Sequence, residues 1–193
     1  MHRNVTSFVL SAALFVSPAL ASAAQFQEAC ALEMLKDPKL TLAEMYTKSE
    51  AKAKAWKADA APARLTNTIM GPLDATGKSE AWNLMFFSPS ANASVTISTF
   101  RGMFTCSAQA GPAGRMPDLK PTFFRDGAKL YAIAKEQGAS YVAQGYQVIL
   151  GTAAAPSDRH ATWNISFTKD NNNAPLTVLV DANTGAFEKA IKN

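Results

Sequence analysis

The sequence predicts an α+β protein made of two tandem units, each a helix packed on a three- to four-stranded antiparallel sheet. Three observations carry that expectation: self-similarity at an offset of 81 residues, a helical pattern ahead of each similar segment, and short alternating strands behind it. Composition sets the frame. Of 193 residues, 48% are hydrophobic and 18% charged, with 10 Gly and 10 Pro, which excludes a disordered tail, a collagen-like repeat and a disulfide-dense miniprotein. A net charge of +4 is too small and too dispersed to argue for nucleic acid.

Residues 1–23 read as a secretory signal peptide. The segment has no acidic residue, carries His2 and Arg3 at its start, runs apolar from Phe8 to Val16, breaks at Pro18 and offers an A-x-A cleavage site at Ala21 and Ala23. Ala19 and Ala21 form a second possible site. The mature chain then begins near Ala24 with a net charge of +3. The apolar run falls short of the roughly 20 residues a membrane span needs, and no later stretch reaches that length. Cys30 follows Gln27-Glu28-Ala29, which is not a lipidation signal. A bacterial protein of the periplasm or medium is expected, without a transmembrane segment in its mature chain.

The mature chain divides into 24–110, an N-terminal helix plus the first unit, and 118–193, the second unit. Phe26 to Leu35 reads as a short helix carrying Cys30. Export and the even cysteine count predict one disulfide, Cys30 to Cys106, with two buried unpaired thiols as the alternative. Leu40 to Ala60 is a helix rich in Ala, Lys and Glu, with Thr41 and Glu44 as a capping box. Its Lys48, Lys52, Lys54 and Lys57 read as a solvated face, since Glu50 and Asp59 interrupt them. Strands follow at Leu65 to Met70, Trp82 to Phe87 and Val95 to Phe100.

Breaker residues from Gly111 to Pro121 form a linker. The second unit starts with a helix over Thr122 to Gln137, stopped by Gly138, and continues with strands at Tyr146 to Leu150, Trp163 to Thr168 and Leu176 to Asp181. Trp82-Asn83-Leu84-Met85-Phe86 lies over Trp163-Asn164-Ile165-Ser166-Phe167, and six of the sixteen pairs from Trp82 to Ile97 are identical. In each unit Trp and Phe stand four apart, hence on one sheet face, where they read as core.

The second unit resembles the PepSY and PepSY-like domains of exported bacterial proteins. The resemblance spans residues 121–187 and rests on the helix with Ala132-Ile133-Ala134, the Trp163-Asn164-Ile165-Ser166-Phe167 strand and the closing Val178-Leu179-Val180-Asp181-Ala182-Asn183-Thr184-Gly185. The first unit departs from it, with Phe100-Arg101-Gly102 at the matching turn. Asp181 and Asn183 suit a tight turn by bonding backbone N–H groups, and Gly185 suits the positive φ of re-entry into a strand. The resemblance implies a binding or inhibitory module associated with exported peptidases, and brings no set of catalytic residues with it.

Chemical motifs are sparse. Pro72 to Ser79 ends in the Gly-Lys-Ser of a phosphate-binding loop, but Pro72 replaces the first Gly and a strand follows where a helix is required. Ser49-Glu50-Ala51-Lys52 matches S-x-x-K without the S-D-N and K-T-G that penicillin-recognising enzymes add. Asp170-Asn171-Asn172-Asn173 lacks the Gly and terminal Glu of a calcium loop. His160 is the one His of the mature chain and reads as a loop residue before a strand. No catalytic, cofactor-binding or metal-ligating residue is therefore expected. The reading is an exported, non-enzymatic binding module whose partner is a protein or peptide of the cell envelope, without nucleic acid or cofactor, acting by strand addition or through a helix–sheet groove. A hydrolase using His160 or a Lys with distant carboxylates, and a carrier of a small apolar ligand suggested by 7 Met and 11 Phe, remain the alternatives.

Overall fold

Alternating apolar residues make strands the commonest element of this chain. The computed structural model describes residues 30–111, 117, 119–154, 160–169 and 173–193. Along them run β1 (Glu33–Met34), β2 (Leu40–Thr41), α1 (Leu42–Trp56), β3 (Ala61–Asn67), β4 (Lys78–Ser79), β5 (Ala81–Ser88), β6 (Ala93–Phe100), β7 (Met103–Ala110), α2 (Gly127–Ala143), β8 (Gln147–Ala154), β9 (Ala161–Thr168), β10 (Leu176–Asp181) and β11 (Phe187–Lys192). The signal peptide, most of the breaker-rich linker and Asp170 to Asn172 lie outside the described residues.

The expected α+β pair of helix-plus-sheet units is overturned. Nine strands form one antiparallel sheet in the order β1-β7-β6-β5-β3-β8-β9-β10-β11, and β2 pairs with β4 in a small second sheet. The architecture is mainly β, with two helices among the described residues. The reason lies at β3 and β8, the first strand of each expected unit. As separate sheets, both would expose a row of unpaired backbone groups; side by side, they satisfy each other. Thr66 pairs with Gly151. Leu65 N–H donates to Thr152 Oγ1 at 3.0 Å, Thr66 Oγ1 donates to the Leu150 carbonyl at 2.7 Å, and Leu150 N–H donates to Asn67 Oδ1 at 2.6 Å. Side chains thus complete a junction whose ladder is short.

One sheet face carries the core. Leu65, Trp82, Leu84, Phe86, Val95, Ile97, Val148, Leu150, Trp163, Ile165, Phe167, Val178 and Val180 are all fully or nearly fully buried. Helix α1 covers this face with Leu42, Met45, Tyr46, Ser49, Ala53 and Trp56, spaced three, four or seven apart along one stripe. Its N-terminus is the expected capping box: Glu44 N–H donates to Thr41 Oγ1 at 3.2 Å and Thr41 N–H donates to Glu44 Oε2 at 2.8 Å. Helix α2 begins later than expected, at an Asp126 N-cap, and continues through Gly138 instead of stopping there. A Cβ at Gly138 would run into the Phe167 ring and Leu176, so glycine here allows helix and sheet to approach closely. Its φ and ψ of −127° and 29° mark a kink in α2.

The cores under the two helices are continuous. Phe123 meets Tyr46 edge-on with centroids 4.9 Å apart and lies 6.2 Å from Trp163, while Tyr46 lies 5.9 Å from Phe86. Trp82 and Trp163 are both fully buried, and their indole N–H groups donate to the Leu40 and Phe124 carbonyls, in the segments that lead into α1 and α2. Cys30 and Cys106 form a disulfide with Cα atoms 5.4 Å apart. The helix expected over Phe26 to Leu35 is not found in its described part, where Glu33–Met34 instead pairs with Phe104 and Met103 as an edge strand.

Candidate functional site

The opposite face of the sheet carries the chemistry. Strands β9, β10 and β11 form a meander, so the residue before β9, the end of β10 and the start of β11 meet at one end of it. Those positions are His160, Asp181 and Glu188. His160 Nε2 stands 2.6 Å from Glu188 Oε1 and 3.5 Å from Asp181 Oδ2. The three groups are partly exposed, with His160 the most open.

Local structure fixes two of them. Asp181 Oδ1 accepts the N–H groups of Asn183 at 2.8 Å and Thr184 at 2.7 Å, and Gly185 closes the turn with a φ of 76°. This is the turn expected from Asp-Ala-Asn-Thr-Gly. It leaves Oδ2 on the His160 side. Burial raises the Asp181 pKa, but the hydrogen bonds from Thr184 and Asn183 and the charge of His160 outweigh it and hold the carboxyl below the usual aspartate value. Glu188 is positioned by a bulge: Leu179 pairs with Lys189 and Val180 with Phe187, so Glu188 is the extra residue.

A concavity of about 300 Å³ opens beside these groups, lined by Ala153, Thr162, Asn164, Leu179, Lys189 and Ile191 among others. One wall of it is β11, an edge strand among the described residues, all six of whose residues are exposed; Phe187 and Ile191 are 45% and 38% exposed. His160 is thus not a solitary loop residue. An imidazole nitrogen and two carboxylate oxygens converge within 4.8 Å of one another, a set able to share a proton or to ligate a cation.

The other sequence candidates are placed elsewhere. Lys78, of the Gly-Lys-Ser segment, donates to Asp37 at 2.9 Å, and Ser79 Oγ donates to the Gly71 carbonyl. Ser49 is fully buried on the sheet-facing side of α1, while Lys52 bridges to Glu33 at 3.4 Å and lies over the Phe104 ring. Asp181 was visible in the sequence as a turn residue, not as a partner of His160. Meander topology was the signal that unites His160, Asp181 and Glu188, whereas nothing in the sequence announces the bulge at Glu188.

No helix among the described residues is long and apolar enough to cross a membrane. No family model matches the chain, and no curated protein does. The fold is similar to a crystal structure of a candidate lipoprotein from Clostridium difficile 630, with a TM-score of 0.49 and 14% identity over 77% of this chain and 92% of that one, a likeness too distant to bear on function.

Proposed function

We propose that this chain is an exported binding module that takes a protein or peptide segment of the cell envelope along its C-terminal sheet edge. The observation that carries this reading is β11. Among the described residues it is an edge strand with a single pairing neighbour, each of its residues exposed, beside a concavity into which side chains of an added strand would fit. The disulfide suits the oxidising compartment to which the signal-like N-terminus points. The sequence resemblance of residues 121–187 to PepSY-like domains is the ground for extending the proposal to a regulatory or inhibitory effect on an envelope partner such as a peptidase.

The alternatives have less in their favour. A hydrolase built on His160 would need its nucleophile on Nδ1, because Nε2 already faces two carboxylates. The layer between helices and sheet, where a small apolar ligand would lodge, is filled by one cluster of buried side chains that includes Tyr46, Phe86, Phe123, Trp163 and Phe167.

A photo-crosslinking residue at Ile191, with one at the exposed Gln137 of α2 as control, tests the proposal. The expected product is a defined envelope protein joined at position 191 and not at 137, whose crosslinked segment, made as a peptide, slows amide exchange in β11. A peptide that binds while β11 exchange stays unchanged would place the interaction elsewhere and overturn the reading.

A further inference from the structure

We propose that His160, Asp181 and Glu188 bind one divalent transition-metal cation of the zinc type. This inference is independent of partner binding at β11. The donor set is one imidazole nitrogen and two carboxylate oxygens, all within 4.8 Å of one another. With a neutral imidazole, the two carboxylates balance the charge of a divalent ion.

The spacing suits the ion. In a tetrahedral site with bonds of about 2.1 Å, donor atoms stand ~3.4 Å apart. His160 Nε2 and Asp181 Oδ2 are already 3.5 Å apart. Glu188 Oε1, 2.6 Å from the same nitrogen, has to draw back by roughly 0.8 Å to reach tetrahedral spacing, a small rotation for a partly exposed side chain at a bulge. Asp181 needs no movement, because the Asn183 and Thr184 N–H groups hold Oδ1 and leave Oδ2 aimed at His160. Preorganisation of one ligand and mobility of another suit a site that loads and releases its ion.

Chemistry selects the cation. A contact of 2.6 Å between Nε2 and a carboxylate oxygen has a proton between them, and the metal takes that proton's place. That proton moves to Nδ1 of a neutral ring, or to the buffer where both ring nitrogens are protonated, so protons compete with the ion and affinity falls with falling pH. The adjoining concavity leaves room for water as a further ligand. Lys189 lines the same concavity and opposes a cation held by charge alone. Affinity has to come from the imidazole bond, which favours zinc over magnesium or calcium.

The test is calorimetric titration of the chelator-stripped, disulfide-bonded protein with Zn²⁺. The expected result is one ion per chain, binding weakened roughly tenfold or more in H160Q and in E188Q, and an affinity that falls as pH is lowered. Ca²⁺ and Mg²⁺ should bind more weakly than Zn²⁺. Both substituted side chains are partly exposed, and metal-free urea midpoints equal to that of the parent protein verify that each variant is folded. Absence of saturable one-to-one Zn²⁺ binding, equal affinity in parent and variants, or a preference for Ca²⁺ or Mg²⁺ would each overturn the site.

Discussion

Single side chains in this protein act mainly by closing turns. Asp59 accepts from Ser88 Oγ at 2.6 Å and from Ser90 N–H at 2.8 Å, tying the end of α1 to the β5–β6 turn. Those hydrogen bonds, first that of Ser88 and then that of Ser90, lower its pKa to about 2. A carboxyl depressed on folding adds stability above its unfolded pKa, near 3.8, and loses it as pH falls toward about 2. Urea midpoints of the parent protein should therefore fall between pH 4 and pH 2 more steeply than those of D59N. Parallel curves would show that Asp59 does not carry the acid response. At this scale the sequence was informative where residue chemistry is local: Thr41 and Glu44 cap a helix, and Asp181 and Gly185 make a turn. It did not reveal the partners of Asp59 or Glu188, which are distant in the chain or set by a bulge.

Among the elements, boundaries set by local chemistry were legible and those set by contact were not. The α1 start follows from its capping box. T41A removes the hydroxyl that accepts Glu44 N–H and should cost about 1 kcal/mol, measured by urea denaturation, with faster amide exchange confined to the first turn of α1. An unchanged midpoint would deny the cap its role. Helix α2 shows the opposite case. Gly138 has the composition of a stop, yet the helix runs on, because a residue without Cβ is what contact with Phe167 and Leu176 demands. Strands β7 and β11 also escaped the sequence reading. Their polar, exposed residues lack strong alternation, and pairing with β6 and β10 makes them strands.

In the molecule as a whole, the join between β3 and β8 decides the behaviour. Two tandem units would melt separately; one sheet over one core should unfold in a single transition. Urea unfolding followed by circular dichroism and by amide exchange in β5 and β9 should give coincident midpoints. N67A, which strips the acceptor from Leu150 N–H while the Gly71 carbonyl keeps the Ser79 hydroxyl, should lower the common midpoint, at about 1–3 kcal/mol for the one buried donor left unpaired. Two resolved transitions in the parent protein would refute the single-unit view. The disulfide adds a tie across 76 positions, which contributes roughly 4 kcal/mol in the chain-entropy picture.

By itself the sequence determined that Trp82, Phe86, Trp163 and Phe167 are core, that the two cysteines pair, where α1 is capped and how the 181–185 turn closes. Each of these depends on neighbours in the chain, on hydrophobic alternation, or on the pairing of the only two cysteines. The tertiary structure decided that the chain forms one sheet instead of two, that α2 passes through Gly138, and that His160 stands with Asp181 and Glu188. Those outcomes depend on which strand edges find each other and on a bulge that re-aims one side chain, and neither is encoded within the span of a local pattern.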